Sequence, residues 1–198
     1  MKEHLLRSIR VYLVLTLLLG FVYPAVVRGV GRIAFRGQAD GSFLEKGERA
    51  LGSSLIGQGF ASPRRFHGRP SAAGDNGYDA TASGGTNLGP TSKRLAETVR
   101  EAVAARRAEN PDAEGAVPAD AVTSSASGLD PHISPEFARW QIARISKETG
   151  LPDAELEALV ATRTEGRFLG VFGERRVNVL LLNVDLEGRL EAAGQPAR

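Results

Sequence analysis

Apolar residues are concentrated in one uninterrupted run, 11–27, which reads VYLVLTLLLGFVYPAVV and carries no charge. Carried on to Val30 it spans 20 residues, roughly 30 Å of helix at ~1.5 Å per residue, about the hydrocarbon thickness of a bilayer. It is the only such run, so the remainder is expected in water, tethered by the N-terminus. Gly20 and Pro24 interrupt it; both are tolerated in membrane helices, where neighbouring helices can satisfy freed backbone groups.

Further along, the pattern becomes that of a folded domain. Residues 31–60 are glycine-rich, with a short strand expected at 54–56. Residues 61–90 are dense in Gly, Pro, Ser and Asn, yet Phe66, His67, Tyr78 and Leu88 recur irregularly, which suggests an ordered loop with its own anchors. Thr91 or Ser92 can cap a helix carrying Leu95, Val99 and Ala102/Val103 at helical spacing and fading near Asn110–Pro111. Ser134-Pro135-Glu136 is a helix start, Gly150 a helix stop, and Pro152-Asp153 opens a second helix with Leu156, Leu159 and Val160 on one face. Residues 168–172 and 177–184 read as strands joined by a turn at 173–175, with a frayed tail past Gly188.

The expectation is therefore an α+β domain with a small sheet and a helix pair, anchored by one N-terminal transmembrane helix. Its divisions are a short cytoplasmic tail at 1–10, the span at 11–30, an extracytoplasmic α+β domain at 31–190 and a frayed tail at 191–198.

Composition and charge refine this. The chain is 42% hydrophobic and has no cysteine, which excludes disulfides, thiol nucleophiles and iron–sulfur clusters. Residues 1–36 hold six Lys/Arg against one acid, Glu3, whereas 37–198 hold 19 basic and 22 acidic residues. The basic balance belongs to the membrane segment, and a nucleic-acid partner is disfavoured. Three basic residues flank the span on each side, so the positive-inside rule does not choose an orientation. The short basic N-terminal tail reads as the part that stays cytoplasmic, sending the large domain outward. The apolar core exceeds the ~7–15 residues of a signal peptide, which favours an uncleaved anchor.

Candidate chemistry is sparse. The histidines are His4, His67 and His132, too few ligands for a metal site without cysteine. His132, in Asp130-Pro131-His132, reads either as a general base or as a loop histidine hydrogen-bonded near a cap. Ser83-Gly84-Gly85 lacks the strand–G-x-S-x-G–helix context of a serine nucleophile. Ser83, Gly84, Gly85, Thr86 and Asn87 could offer backbone N–H groups to an anion, with Arg69 and Lys93 adding charge, or simply form a tight multi-turn loop. The charged face Arg94, Glu97, Arg100, Glu101, Arg106 and Arg107 reads as solvated surface.

Several loop strings occur in order and are specific together: Leu55-Ile56-Gly57-Gln58, Phe66-His67-Gly68-Arg69-Pro70-Ser71-Ala72, Tyr78-Asp79 and Ser83-Gly84-Gly85-Thr86-Asn87-Leu88-Gly89-Pro90. Val122-Thr123, Ser127-Gly128-Leu129-Asp130-Pro131-His132-Ile133-Ser134-Pro135, then Ala138, Gln141 and Arg144, and finally Gly173-Glu174 and Val177-Asn178-Val179-Leu180 continue the series. With the N-terminal span, the chain closely resembles the C-subunit family of the bacterial Kdp potassium-transporting P-type ATPases, from about Leu5 to Leu190. Departures are small: Arg65 stands where the family often has an aromatic, Thr86 replaces a usual serine, and Ser124 and Ala126 vary a threonine–serine–glycine run.

The resemblance implies a non-catalytic accessory subunit with one membrane helix and an extracytoplasmic domain. Its partners would be a channel-like potassium-translocating subunit, a P-type ATP-hydrolysing subunit and membrane lipid. It implies a catalytic-chaperone role that raises ATP affinity of the hydrolytic subunit, with Ser83 to Asn87 compared to the signature loop of ABC transporters. ATP is then a candidate ligand, none being firmly bound, and potassium is the cargo of the whole complex. Gly68, Arg69, Pro70, Asp130, His132, Gln141 and Arg144 are the candidate partner or structural loop residues. ATP is cytoplasmic and an exported domain cannot reach it, so a direct nucleotide role conflicts with the expected topology. The topology-consistent expectation is assembly, stability and modulation of ion entry at the outer mouth. The alternative from another class is a membrane-anchored extracytoplasmic hydrolase using Ser83 or His132.

Overall fold

The computed structural model describes residues 2–47 and 49–195, which divide into two compact units between Ser53 and Ser54. The α+β domain expected from residue 31 thus begins as a compact unit only at Ser54.

In the first unit a continuous helix runs Lys2–Ala34, 33 residues with a stretch of mean hydropathy 2.0 and no buried residue in it, long and apolar enough to cross a membrane. It comprises α1 (Lys2–Leu17), a π-helical turn (Leu18–Val22) and α2 (Tyr23–Ala34). Residues 2–10, the described part of the expected short tail at 1–10, belong to this helix, while Met1 lies outside the described residues. Pro24 explains the π turn. It has no N–H, and its ring crowds the carbonyl four residues back, that of Gly20; widening the helix at Leu18–Val22 accommodates both demands. A short α3 (Arg36–Ala39) follows, then the antiparallel hairpin β1 (Phe43–Lys46) and β2 (Arg49–Ser53), which pairs Phe43 with Ser53 and carries an irregularity between Leu44 and Glu45. The strand expected at 54–56 is not formed. The extended segment ends at Ser53, whose hydroxyl donates to the Gly41 carbonyl at 2.7 Å.

The second unit contains the core. Helix α4 (Lys93–Glu109) starts where its cap predicts: the Ser92 Oγ accepts from Leu95 N at 3.3 Å. Strand β3 (His132–Ile133) leads into α5 (Pro135–Trp140), capped by Ser134 Oγ accepting from Phe137 N at 3.0 Å. The expected single helix to Gly150 breaks at Gln141 and resumes as α6 (Ile142–Thr149), which Gly150 ends with φ of 73°. Helix α7 (Asp153–Arg163) buries Leu156, Leu159 and Val160, as the spacing predicts. Strands β4 (Thr164–Glu165) and β5 (Arg176–Asn178) complete a three-stranded antiparallel sheet in the order β3-β5-β4, with His132 opposite Asn178 and Thr164 opposite Val177.

Two expected strands near the C-terminus are not formed as such. Residues 177–184 form no long strand. Only β5 is extended, and α8 (Val179–Ala192) begins at once, because Asn178 Oδ1 accepts from Leu181 N at 3.1 Å and caps it. Val179, Leu182, Asn183, Leu186 and Leu190 are buried along one helical face, so an apolar run that suits a buried strand also suits a buried helix. The helix passes Gly188 without fraying, and Gln195 Nε2 donates to the Thr149 carbonyl at 2.7 Å. Of the expected frayed tail, residues 196–198 lie outside the described residues. Residues 168–172 are likewise no strand but a tight exposed turn bridged between Phe168 and Phe172.

The core gathers Phe66, Ala121, Val122, Ile133, Phe137, Ile145, Leu156, Val160, Val177, Leu182 and Leu186. Phe66, from the long 61–90 loop, is fully buried among side chains of the helices and the sheet, which ties that loop to the fold. The molecule is an α+β domain with a small sheet, joined to one long apolar helix.

Candidate functional site

The loop residues singled out by sequence form three clusters, each held mainly by bonds to backbone.

In the first cluster, Gln141 and Arg144 flank the α5–α6 break. Gln141 Oε1 accepts from His67 N at 2.7 Å, and its Nε2 donates to the His67 carbonyl at 3.1 Å. Asn183 does the same for the preceding residue: Oδ1 accepts from Phe66 N at 2.8 Å and Nδ2 donates to the Phe66 carbonyl at 2.9 Å. Two side-chain amides thus pair with successive residues of the loop as a neighbouring strand would. Arg144 Nη2 donates to the Arg65 carbonyl at 3.0 Å and to Gln141 Oε1 at 2.9 Å, and its Nη1 donates to the Pro63 carbonyl. Burial lowers the Arg144 pKa from its ordinary value, opposed by Glu109, whose Oε1 lies 3.6 Å from Arg144 Nε. Glu109 also pairs with His67 Nδ1 at 2.6 Å and with Arg106 Nη1 at 2.8 Å. Burial acts to raise the Glu109 pKa, but the bond and charge of His67 and those of Arg106 outweigh it and hold the carboxyl at about 2.

The second cluster joins Arg69, Asp130 and His132. Arg69 Nε donates to the Thr123 carbonyl at 3.3 Å, Nη2 to the Ser124 carbonyl at 3.3 Å, and Nη1 lies 3.6 Å from Asp130 Oδ2. Asp130 Oδ1 accepts from His132 N at 2.9 Å and lies 3.2 Å from His132 Nδ1. Burial of Asp130 works to raise its pKa, and the bonds from His132 with the charges of His132 and Arg69 bring it below the usual carboxylate value. Gly68 and Pro70 flank Arg69. Tyr78 Oη donates to the Arg69 carbonyl at 2.5 Å and would lie 2.7 Å from a Cβ at position 68, so a side chain there would have to displace the Tyr78 hydroxyl. This cluster borders an open cleft of about 640 Å³ lined by Arg69, Asp120, Asp130, His132, Glu165 and Arg176.

In the third cluster, the Ser83–Asn87 loop lies on the 125–128 loop, backbone against backbone. The Gly84 amide and the Ser83 hydroxyl both donate to the Ser127 carbonyl, at 2.9 and 3.0 Å. A Cβ at Gly85 would stand 2.9 Å from the Ala126 carbonyl. The Gly84 N–H is therefore committed within the protein, and Ser83 does not donate to a histidine, the bond a serine nucleophile needs. Thr86 and Asn87 are exposed, and Asn87 adopts φ of 52°.

Sequence reasoning missed Glu109 and Asn183, and it placed Arg106 and Arg107 on solvated surface. In the fold, Arg106 stacks over the Phe137 ring at 5.7 Å and Arg107 over the Trp140 ring at 5.8 Å. Their positions at the last turn of α4, beside the apolar stripe, were the available signal. Among the described residues no group of three or more His, Asp or Glu could hold a metal ion.

The family model KdpC, described as "K+-transporting ATPase, c chain", matches residues 5–188. The chain belongs to the KdpC family. Relatives agree along most of their length. The potassium-transporting ATPase KdpC subunit of Koribacter versatilis is 49% identical over 189 residues, covering 95% of this chain and 96% of the relative. Those of Myxococcus xanthus and Sorangium cellulosum are 51% identical over 185 residues (93% of this chain, 87% of the relative) and 50% identical over 188 residues (95% and 99%). Membership of the KdpC family makes the chain a subunit of a potassium-transporting ATPase.

Proposed function

We propose that this KdpC-family chain is a non-catalytic accessory subunit of an ATP-driven potassium uptake pump, assembling with a channel-like translocating subunit and a P-type ATP-hydrolysing subunit. In this reading the Lys2–Ala34 helix packs in the membrane among partner helices, with the N-terminus cytoplasmic and the folded domain at the outer mouth of the ion pathway. There the domain stabilises the assembly and modulates ion entry. The observation that carries the reading is where the polar side chains go. Gln141, Asn183, Arg144, Arg69 and Ser83 all direct hydrogen bonds at the backbone of loop segments far from them in sequence, the arrangement of a rigid presenting surface rather than of a reacting centre. The acidic balance of residues 37–198 also suits a surface near cations.

Two measurements test this. The tagged chain should co-purify with larger membrane subunits and show no ATP or ester hydrolysis alone; robust turnover of the isolated chain rejects the reading. Ser83→Cys in the otherwise cysteine-free chain should react with a membrane-impermeant thiol reagent in intact cells. Protection there, with labelling only after permeabilisation, would favour the nucleotide-binding role of the Ser83–Asn87 loop over modulation at the outer mouth.

A further inference from the structure

The second unit buries its large apolar residues with one concentrated exception. Among the described residues of that unit, six large hydrophobics are classed as exposed, and four of them lie at 168–172: Phe168 at 72%, Leu169 at 76%, Val171 at 71% and Phe172 at 64%. A contiguous apolar projection of this kind on a folded domain marks an interaction site.

The tip is a built feature. Phe168 N donates to the Phe172 carbonyl at 2.8 Å and Phe172 N returns the bond to Phe168 at 2.9 Å. Gly170 N and Val171 N close the turn on the Arg167 and Phe168 carbonyls. Leu169 is held at φ of 52°, a left-handed conformation unfavourable for a branched side chain. The backbone is thus self-contained, and its side chains are turned to the outside.

The charges around the tip select the class of partner. Arg167 pairs with Glu174 at 2.7 Å and Arg176 with Glu165 at 2.9 Å. Glu174 is itself strongly exposed. Attraction to anionic lipid calls for several uncompensated basic residues, whereas here most are neutralised and an acid stands at the rim. Arg175, exposed and without a carboxylate partner among the described residues, is the single cation left over. One apolar plug with one spare cation matches a protein socket with an acidic edge. As a subunit of a potassium-transporting ATPase, the chain has the other subunits of that assembly as candidate bearers of such a socket.

We propose that residues 168–172 form a docking plug that seats in an apolar socket on another subunit of the potassium-transporting ATPase, with Arg175 meeting a carboxylate at its rim. This rests on the chain working inside the assembled pump. The experiment uses the full chain co-expressed with the other pump subunits. With p-benzoylphenylalanine at position 169, illumination yields an adduct with a pump subunit, identified by mass spectrometry. An adduct with lipid alone, with a second copy of this chain alone, or no adduct overturns the plug. In parallel, the double substitution Leu169→Asp and Phe172→Asp lowers recovery of the partner subunits on the tagged chain roughly tenfold or more, the scale of hot-spot loss. Unchanged recovery overturns the proposal, and the near-ultraviolet dichroism of buried Trp140 reports whether the fold persists. If the double variant unfolds, the cross-link decides. If the wild-type chain itself fails to co-purify, the accessory-subunit reading is what fails.

Discussion

Gln141 holds both the N–H and the carbonyl of His67, at 2.7 and 3.1 Å, across 74 residues of chain. Together with the matching hold of Asn183 on Phe66, it makes a glycine- and proline-rich loop into a fixed part of the fold. Both amides are almost wholly buried, so their loss strands backbone polar groups away from water. Asn183→Leu should destabilise the protein by about 2–4 kcal/mol, two unsatisfied groups at about 1–3 kcal/mol each with partial relaxation. Urea unfolding followed by Trp140 fluorescence measures it, and a change within experimental error would remove the clamp as a stabilising device.

Glycines 84 and 128 make a paired comparison. A Cβ on Gly128 would meet the Gly84 carbonyl at 2.6 Å and the Ala73 amide at 2.7 Å, and φ there is 67°. At Gly84 the nearest neighbour of a Cβ is 3.9 Å away. Gly128→Ala should cost about 2 kcal/mol or more through clash and left-handed strain together, and should open the Ser83–Asn87 loop to limited proteolysis. Gly84→Ala should stay within about 1 kcal/mol of wild type. Equal protease resistance in the two variants would contradict the packing described.

Glu109 sets an acid-side dependence. Its carboxyl is held at about 2 in the fold against an ordinary 4.5. A depressed folded value means stability that is fully present above 4.5 and is lost as pH falls from there toward about 2. Glu109→Gln removes this titration, so its urea midpoint should fall less than that of wild type across the same window. Parallel pH profiles would show that Glu109 is not responsible.

Leu182 distinguishes helix from strand in the C-terminal apolar run. It is fully buried on α8 beside Leu186, so Leu182→Ala should cost about 2–5 kcal/mol by cavity formation. Leu181, one position earlier, is only half buried, and Leu181→Ala should cost less than half as much. Equal costs would sit better with a strand covered on both faces.

Local signals were legible where one residue decides one hydrogen bond. Ser92 and Ser134 cap their helices and Gly150 ends its own, each by short-range geometry that needs no distant partner. The 11–27 run likewise announced a helix by length and hydropathy alone. The 177–184 run was ambiguous because burial on all sides suits both secondary structures, and Asn178 resolved it by capping. The candidate residues Gln141 and Arg144 were visible through their resemblance to a family, but their partners were not. Glu109, 32 positions before Gln141, enters the same cluster only because α4 packs against the core.

What the amino-acid order determined on its own is the membrane-length helix, the capped helices of the second unit and membership of the KdpC family. These depend on interactions between near neighbours or on the order of short strings. Only the tertiary structure decided that the 61–90 loop is pinned by side-chain amides, that Arg106 and Arg107 cover aromatic rings, and that Phe168–Phe172 faces outward. The reason is physical. A side-chain amide, a guanidinium or a phenyl ring has the same composition whether it meets solvent or a partner a hundred residues away, and the fold alone selects which.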